Sequence, residues 1–227
     1  MRDLRDVPRA VRARKERLQW TARDRLAGVG RRVAEGTVAL TFDDGPHPSS
    51  TPLVLDLLGE LGVRATFFCV GRNVRAHPDL VRRVVAEGHQ VGSHSCTHPH
   101  PAGVRLGALA EEYRSGRSAV AEVLGRDVAL FRPPNGHLTL TSASMVRCQG
   151  LAPWLWTVDP QDWRPGVTAG DIAGIAGAAG SGDVVLLHDW VEKPTDVRAL
   201  DRSATIRALP AVVRAVRTRG LEFRSLP

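Results

Sequence analysis

In the stretch VGSHSCTHPHP, residues 91–101, His94 and His98 stand four apart around Cys96, and His100 follows just beyond. Imidazoles at that spacing can face one way on a helical turn and hold one ion. A nucleophilic Cys/His pair or an ordinary loop would fit the same stretch. Other chemistry-bearing residues come in equally short clusters: Asp43-Asp44 in TFDDGPHPSSTP, Arg132 in FRPPNGH, Asp162 in DPQDW and His188 in VVLLHD. Adjacent carboxylates repel each other unless a cation separates their tasks, one carboxylate binding it and the other staying free as a base. For Asp-Asp-Gly-Pro the bland alternative is a plain turn, which Gly45-Pro46 favours.

The elements that must gather these clusters follow from the hydrophobic pattern. From Val38 onward, β-rich runs at 38–42, 65–70, 89–93, 128–132, 154–158, 183–187 and 221–225 alternate with helical stretches near 52–61, 74–87, 106–124, 141–149, 168–179 and 203–219. Gly62, Gly88, Gly125, Gly150, Gly180 and Gly220 each mark the far end of one helical stretch. Seven strands alternating with six helices predict a parallel sheet, doubly wound or closed into a barrel. The polar clusters lie just past the first, third, fourth, fifth and sixth strands, and in a (β/α) barrel those ends meet on the face that carries the active site. That convergence favours the metal-ligand reading of His94 and His98. There is no internal repeat or low-complexity linker, so residues 33–227 read as one domain.

The chain has 227 residues, is 43% apolar and carries no apolar run near the ~18 residues of a membrane span, so a soluble globular protein is expected. Three cysteines, Cys69, Cys96 and Cys148, are too few and too irregularly spaced for a disulfide framework and read as buried free thiols. The net charge of +7 sits wholly in residues 1–32, which hold 11 Lys/Arg against 4 Asp/Glu; the remainder is neutral. After Pro8 this segment has helical character, with Leu18, Ala22, Leu26 and Val29 near one face and Trp20 beside it. It reads as a basic helical extension packed on the domain, with weak contact to anionic surfaces as the sharper alternative. It contains no secretory core of roughly 7–15 apolar residues, so a cytoplasmic location is expected. No basic stripe with interleaved aromatics points to nucleic acid.

With these residues in hand, the chain from about 38 to 227 resembles the NodB-homology polysaccharide deacetylases of carbohydrate esterase family 4. TFDDGPHPSSTP, SHSCTH, FRPP, VDPQDW and VVLLHD match that family's five motifs in order. The resemblance implies a distorted (β/α) barrel with fewer than eight strands, here a (β/α)7 barrel. It assigns Asp44, His94 and His98 to the metal and Asp43 to the base. It pairs Arg132 with Asp43, and Asp162 with His188, the general acid. Trp163 and Leu186 match the apolar patch for the acetyl methyl group, while ordinary core remains the plain reading of both; Pro133 is counted with them as substrate-binding. One carboxylate and two imidazoles suit Zn2+ with open positions, and Co2+, Mn2+ or Ni2+ satisfy the same set.

One position departs from the family pattern. The third motif usually continues with an aromatic residue where this chain has Asn135. The main-chain N–H there can still donate to an oxyanion, because that role needs no particular side chain. His47, His100 and His137 have no place in the motifs and read as solvated loop histidines; His77 and His89 read as helix-surface and strand-edge residues. The expected function is metal-dependent hydrolysis of an acetamide on an N-acetylated oligo- or polysaccharide, by a monomer. O-acetyl esterase activity on xylan-like sugars is the alternative, and a carbohydrate-binding pseudoenzyme is the reading from another class.

Overall fold

The computed structural model describes residues 27–227. The basic helix expected earlier in the chain, with Trp20 and Leu26, lies outside the described residues. Of the segment assigned to the extension, the last residues join the barrel. Gly30 N–H donates to Pro153 O (2.8 Å), Leu155 N–H donates to Gly30 O (2.9 Å), and Arg31 Nη1 donates to Trp156 O (2.9 Å).

Strand β1 (Thr37–Asp43) is buried along its whole length, as expected of a central strand covered on both faces. The others are β2 (Thr66–Cys69), β3 (Gln90–Ser93), β4 (Leu130–Phe131), β5 (Ala152–Pro153), β6 (Val184–His188) and β7 (Glu222–Phe223). They pair in the order β5-β4-β3-β2-β1-β6, with β7 on the first residues of β1, and every ladder is parallel. The expected strand over 154–158 is not continuous. Trp154 N–H still donates to Phe131 O on β4 (2.8 Å), whereas Val158 O accepts from Leu186 N–H on β6 (2.9 Å). This stretch swings from one sheet edge to the other, which closes the barrel through two short pairings and accounts for its distortion.

Helices α1 (Thr51–Glu60), α2 (Gly71–Ala76), α3 (Pro78–Ala86), α4 (Leu106–Leu124), α5 (Leu140–Cys148), α6 (Ala169–Ala176) and α7 (Ser203–Arg217) cover the outside. The single helix expected over 74–87 is two, because Pro78 disfavours helical backbone at His77, which takes φ −135° and ψ 57°. Helix α6 stops at Ala176, so Gly180 is not its terminator; Gly125, in contrast, closes α4 in the left-handed conformation.

Side chains alternate along each strand. Leu40, Phe42, Phe67, Val91, Val185 and Leu187 face outward and pack with Leu55 and Leu58 of α1, Val84 of α3 and Leu209 and Val212 of α7. The opposite face forms a smaller apolar floor of Ala39, Phe68, Leu130 and Val184, with Trp154 and Trp156 against it. On β1 the inward alternation then continues through Thr41 to Asp43, and on β6 through Leu186 to His188. Polar residues therefore crown an apolar floor at the C-terminal strand ends. Among the described residues, no helix is long and apolar enough to cross a membrane.

Candidate active site

Parallel register places the clusters side by side. Asp43 on β1 sits opposite His188 on β6, although 145 residues separate them. Ser93 sits opposite Phe131, so the next residues, His94 and Arg132, are neighbours across β3 and β4. Arg132 N–H donates to Ser93 O (3.0 Å), and His94 Nδ1–H donates to Arg132 O (2.7 Å).

The two histidines do not share a helical turn. The chain returns from His94 to His98 through a loop in which Ser95 and His98 take φ of 65° and 52°. Ser95 Oγ accepts the His98 N–H (3.0 Å), and Glu112 of α4 accepts from Thr97 N–H and Oγ1 (2.9 Å each). Gly116 lets α4 come this close: a Cβ there would collide with the Ser95 carbonyl.

Asp44 Oδ1 lies 3.3 Å from His94 Nε2 and 3.4 Å from His98 Nε2, and the three atoms lie within 4.8 Å of one another. Since His94 Nδ1 gives its proton to a carbonyl, Nε2 of the neutral ring presents a lone pair. Burial pushes His98 down to about 4, so it too is neutral near pH 7. Burial disfavours the Asp44 carboxylate, but His94, His98 and His188 outweigh it and hold the carboxyl below its ordinary value. Burial likewise opposes charge on His94, and Asp43 and Asp44 overcome it to raise its pKa. A proton and a cation thus compete for Nε2. Asp44 Oδ1 is buried without a hydrogen-bond partner. Three converging acceptors with no donor among them fit a divalent cation.

Asp43 is held separately. Arg132, fully buried, donates from Nη1 to Asp43 Oδ1 (2.7 Å) and to Thr41 Oγ1 (2.7 Å), and from Nε to Trp154 O (3.2 Å). Its guanidinium carbon stands 4.1 Å from the Phe68 ring centroid. This leaves Asp43 Oδ2 turned toward the ligand group, 3.7 Å from His94 Nε2.

On the other side, His188 Nδ1–H donates to Asp162 Oδ1 (2.7 Å), and the His188 main-chain N–H donates to Oδ2 (2.9 Å). Thr205 Oγ1 donates to the same Oδ2 (2.9 Å), and Arg202 Nη1 donates to Asp162 O (3.1 Å). Burial alone would lower the His188 pKa, but Asp162 outweighs it and the ring is pushed up to about 9. His188 therefore carries its second proton at neutral pH. Asp162→Asn removes the largest raising charge and leaves only Asp44 and Asp43 to oppose burial, so His188 should lose that proton at lower pH. The basic limb of the kcat/KM profile is expected to move down by about one pH unit or more. An unmoved limb would show that His188 is not the group behind it.

The remaining expected residues divide. Asn135 is exposed in a single 3-10 turn, Pro134–Gly136, with φ 57°, a conformation Asn adopts more readily than most residues. No described residue accepts a hydrogen bond from its main-chain N–H. Pro133 is buried beside Arg132. Leu186 is buried two residues below His188, so it is also core, but Trp163 is 38% exposed and is not. His47 is not a free loop residue: its ring stacks on Trp190 at 3.5 Å and 8°. His89 is buried rather than at an edge, its Nδ1 accepting the Ala65 N–H (3.1 Å). His100 and His137 are exposed. Of the thiols only Cys69 is buried; Cys148 is exposed because it ends α5 on the outer surface.

Sequence reasoning missed Thr41, Asn73, Glu192, Arg202 and Thr205. Thr41 was within reach, since strand alternation puts it on the Asp43 face. The others lie outside the motifs and carry no local signal. Glu192 N–H donates to Asp44 Oδ2 (2.8 Å), and Asn73 Nδ2 donates to Asp44 O (2.9 Å).

The family model for polysaccharide deacetylase matches residues 30–154. A chitooligosaccharide deacetylase of Bradyrhizobium sp. (strain ANU 289) is 42% identical over 200 residues, covering 84% of this chain and 89% of that protein. A peptidoglycan-N-acetylglucosamine deacetylase of Bacillus cereus is 35% identical over 192 residues, covering 83% and 85%. Among solved structures, a family 4 carbohydrate esterase from Streptomyces lividans in complex with acetate superposes with a TM-score of 0.74 at 34% identity, covering 84% of this chain and 93% of that one. Shared over most of its length in sequence and in fold, the likeness is that of kin, and this chain belongs to the polysaccharide deacetylase family.

Proposed function

We propose that this protein removes the acetyl group from the nitrogen of an N-acetylated amino sugar in a glycan, releasing acetate. The observation that carries the reading is the separation of three tasks at adjoining strand ends. Asp44, His94 and His98 converge as acceptors, Asp43 is held on its Oδ1 side by Arg132, and His188 is tied through Nδ1–H to the buried Asp162. The relatives named for chitooligosaccharide and peptidoglycan deacetylation support the substrate class.

Asp44, His94 and His98 would hold a divalent ion, with Zn2+ favoured by that donor set, and when bound it would supply Lewis-acid polarisation of the acyl group and of the attacking water. Asp43 Oδ2 takes a proton from the attacking water, while Arg132 keeps Oδ1 occupied and the carboxylate oriented. As charge gathers on the acyl oxygen, the free N–H of Asn135 donates to it. His188 Nε2–H protonates the nitrogen as the carbon–nitrogen bond breaks, so the amine leaves neutral; the acetic acid left behind gives its proton to solvent and departs as acetate. Leu186, Trp163 and Pro133 are the residues assigned to receive the acetyl methyl.

The test is acetate release from chitooligosaccharides, peptidoglycan fragments and acetylxylan by chelated protein before and after Zn2+ is restored. Turnover of the N-acetyl substrates, dependent on metal, is expected. Turnover of acetylxylan alone would replace this reading with O-acetyl esterase activity, and binding of glycan without turnover would mark a pseudoenzyme.

A further inference from the structure

The segment after β6 reaches back across the site, and its anchor is an acid that no motif contains. Glu192 is buried at 5% exposure. Its Oε2 accepts from Asn73 Nδ2 (2.9 Å), and its Oε1 is ion-paired with the Arg72 guanidinium, both partners lying on α2. The same Asn73 amide nitrogen donates to Asp44 O, and the Glu192 main-chain N–H donates to Asp44 Oδ2. Asp44 itself sits at φ 76°, a left-handed conformation that a non-glycine residue keeps only when its surroundings enforce it. Three hydrogen bonds and a side-chain-free neighbour enforce it. Phe68 O accepts the Asp44 N–H (3.2 Å), Asn73 holds the carbonyl, Glu192 occupies Oδ2, and a Cβ on the next residue, Gly45, would run into the Asp189 carboxylate.

The consequence lies in how Asp44 divides its two oxygens. With Oδ2 taken by the Glu192 N–H, only Oδ1 faces His94 and His98. A carboxylate free of that bond could rotate and offer both oxygens to one cation. Burial of Glu192 without Arg72 and Asn73 would leave an uncompensated charge, so α2 is what keeps residue 192, and with it the donor N–H, in place.

We propose that Glu192 is a positioning residue: anchored to Arg72 and Asn73, it locks the segment after β6 onto Asp44 and makes Asp44 a one-oxygen ligand of the metal. This rests on the assignment of Asp44, His94 and His98 as ligands. Hydrogen-bonding partners one step behind the ligands typically govern about 10–100-fold in metal affinity.

The experiment measures Zn2+ affinity of the full chain by competition with a chromogenic chelator, and the visible spectrum of the Co2+ form, for native protein, Glu192→Ala, Glu192→Gln and Arg72→Gln. Circular dichroism and Tm are recorded for each. Glu192→Ala is expected to weaken Zn2+ binding about 10–100-fold and to alter the Co2+ bands as the Asp44 carboxylate turns. Glu192→Gln keeps an acceptor for Asn73 but loses the ion pair, and should fall between native and Glu192→Ala. Arg72→Gln, a change at a half-exposed side chain, should show a smaller loosening of the same sign. If Glu192→Ala fails to fold, Glu192→Gln and Arg72→Gln decide the matter. Lowered Tm with native Zn2+ affinity and Co2+ bands in these variants would overturn the proposal and leave Glu192 a purely structural anchor. Failure of the native protein itself to bind Zn2+ would instead overturn the ligand assignment.

Discussion

Asp43→Asn is expected to lower kcat/KM by about 10²–10⁴ while the protein still takes up its ion, the range for losing a general base. The amide matches the carboxylate in shape but cannot accept the proton that the attacking water must shed. The ligand atoms of Asp44, His94 and His98 are untouched by the change, so Zn2+ titration should give a Kd close to native. Asp44→Asn should do the reverse first: it replaces an anionic ligand oxygen with a neutral amide, and metal affinity should fall. The comparison is sharp because the two residues are adjacent in sequence and equally buried, yet Asp43 faces Arg132 and Asp44 faces two imidazoles. Parallel titrations of the two variants, with acetate release at saturating metal, check it. If both variants lose the ion alike, the division of labour between the aspartates is wrong.

Arg132→Met should destabilise the fold by about 3–5 kcal/mol, the range for removing one partner of a buried ion pair. Against a typical total of ~5–15 kcal/mol, that is a large fraction of the stability. The guanidinium is fully buried over Phe68 and answers Asp43, Thr41 and Trp154 at once. Methionine fills much of the volume but leaves the Asp43 carboxylate without a cation on its Oδ1 side. Denaturant midpoints at constant slope would measure the loss. Adding Asp43→Asn to Arg132→Met should recover part of it, because the stranded charge is then gone. A loss below about 1 kcal/mol, or no recovery in the double variant, would mean that the pair does not act as a unit.

The chain order of the elements and the set of chemical groups were both legible in the sequence, because both are written locally. Strand and helix periodicity, glycine punctuation and the polar residues just past each strand mark where each element ends and what stands there. Parallel pairing then makes those ends coincide, which is why Asp43, His94, Arg132 and His188 could be assembled on paper. Periodicity could not reveal that residues 154–158 leave one edge of the sheet for the other, since that depends on where the last strand lies rather than on the stretch itself. It misread His89 and His47 for the same reason: burial beside Phe67 and stacking on Trp190 come from contacts made across the fold. The histidine pair was found by its spacing, but a loop through left-handed Ser95, pressed close by the absence of a side chain at Gly116, decides how His94 and His98 meet. Above all, the sequence by itself determined which carboxylates, imidazoles and guanidinium stand at the strand ends, while tertiary structure alone decided which oxygen of Asp44 is open and which is held. That choice is made by a hydrogen bond between residues 44 and 192, and a contact spanning 148 positions leaves no trace in the local pattern of either end.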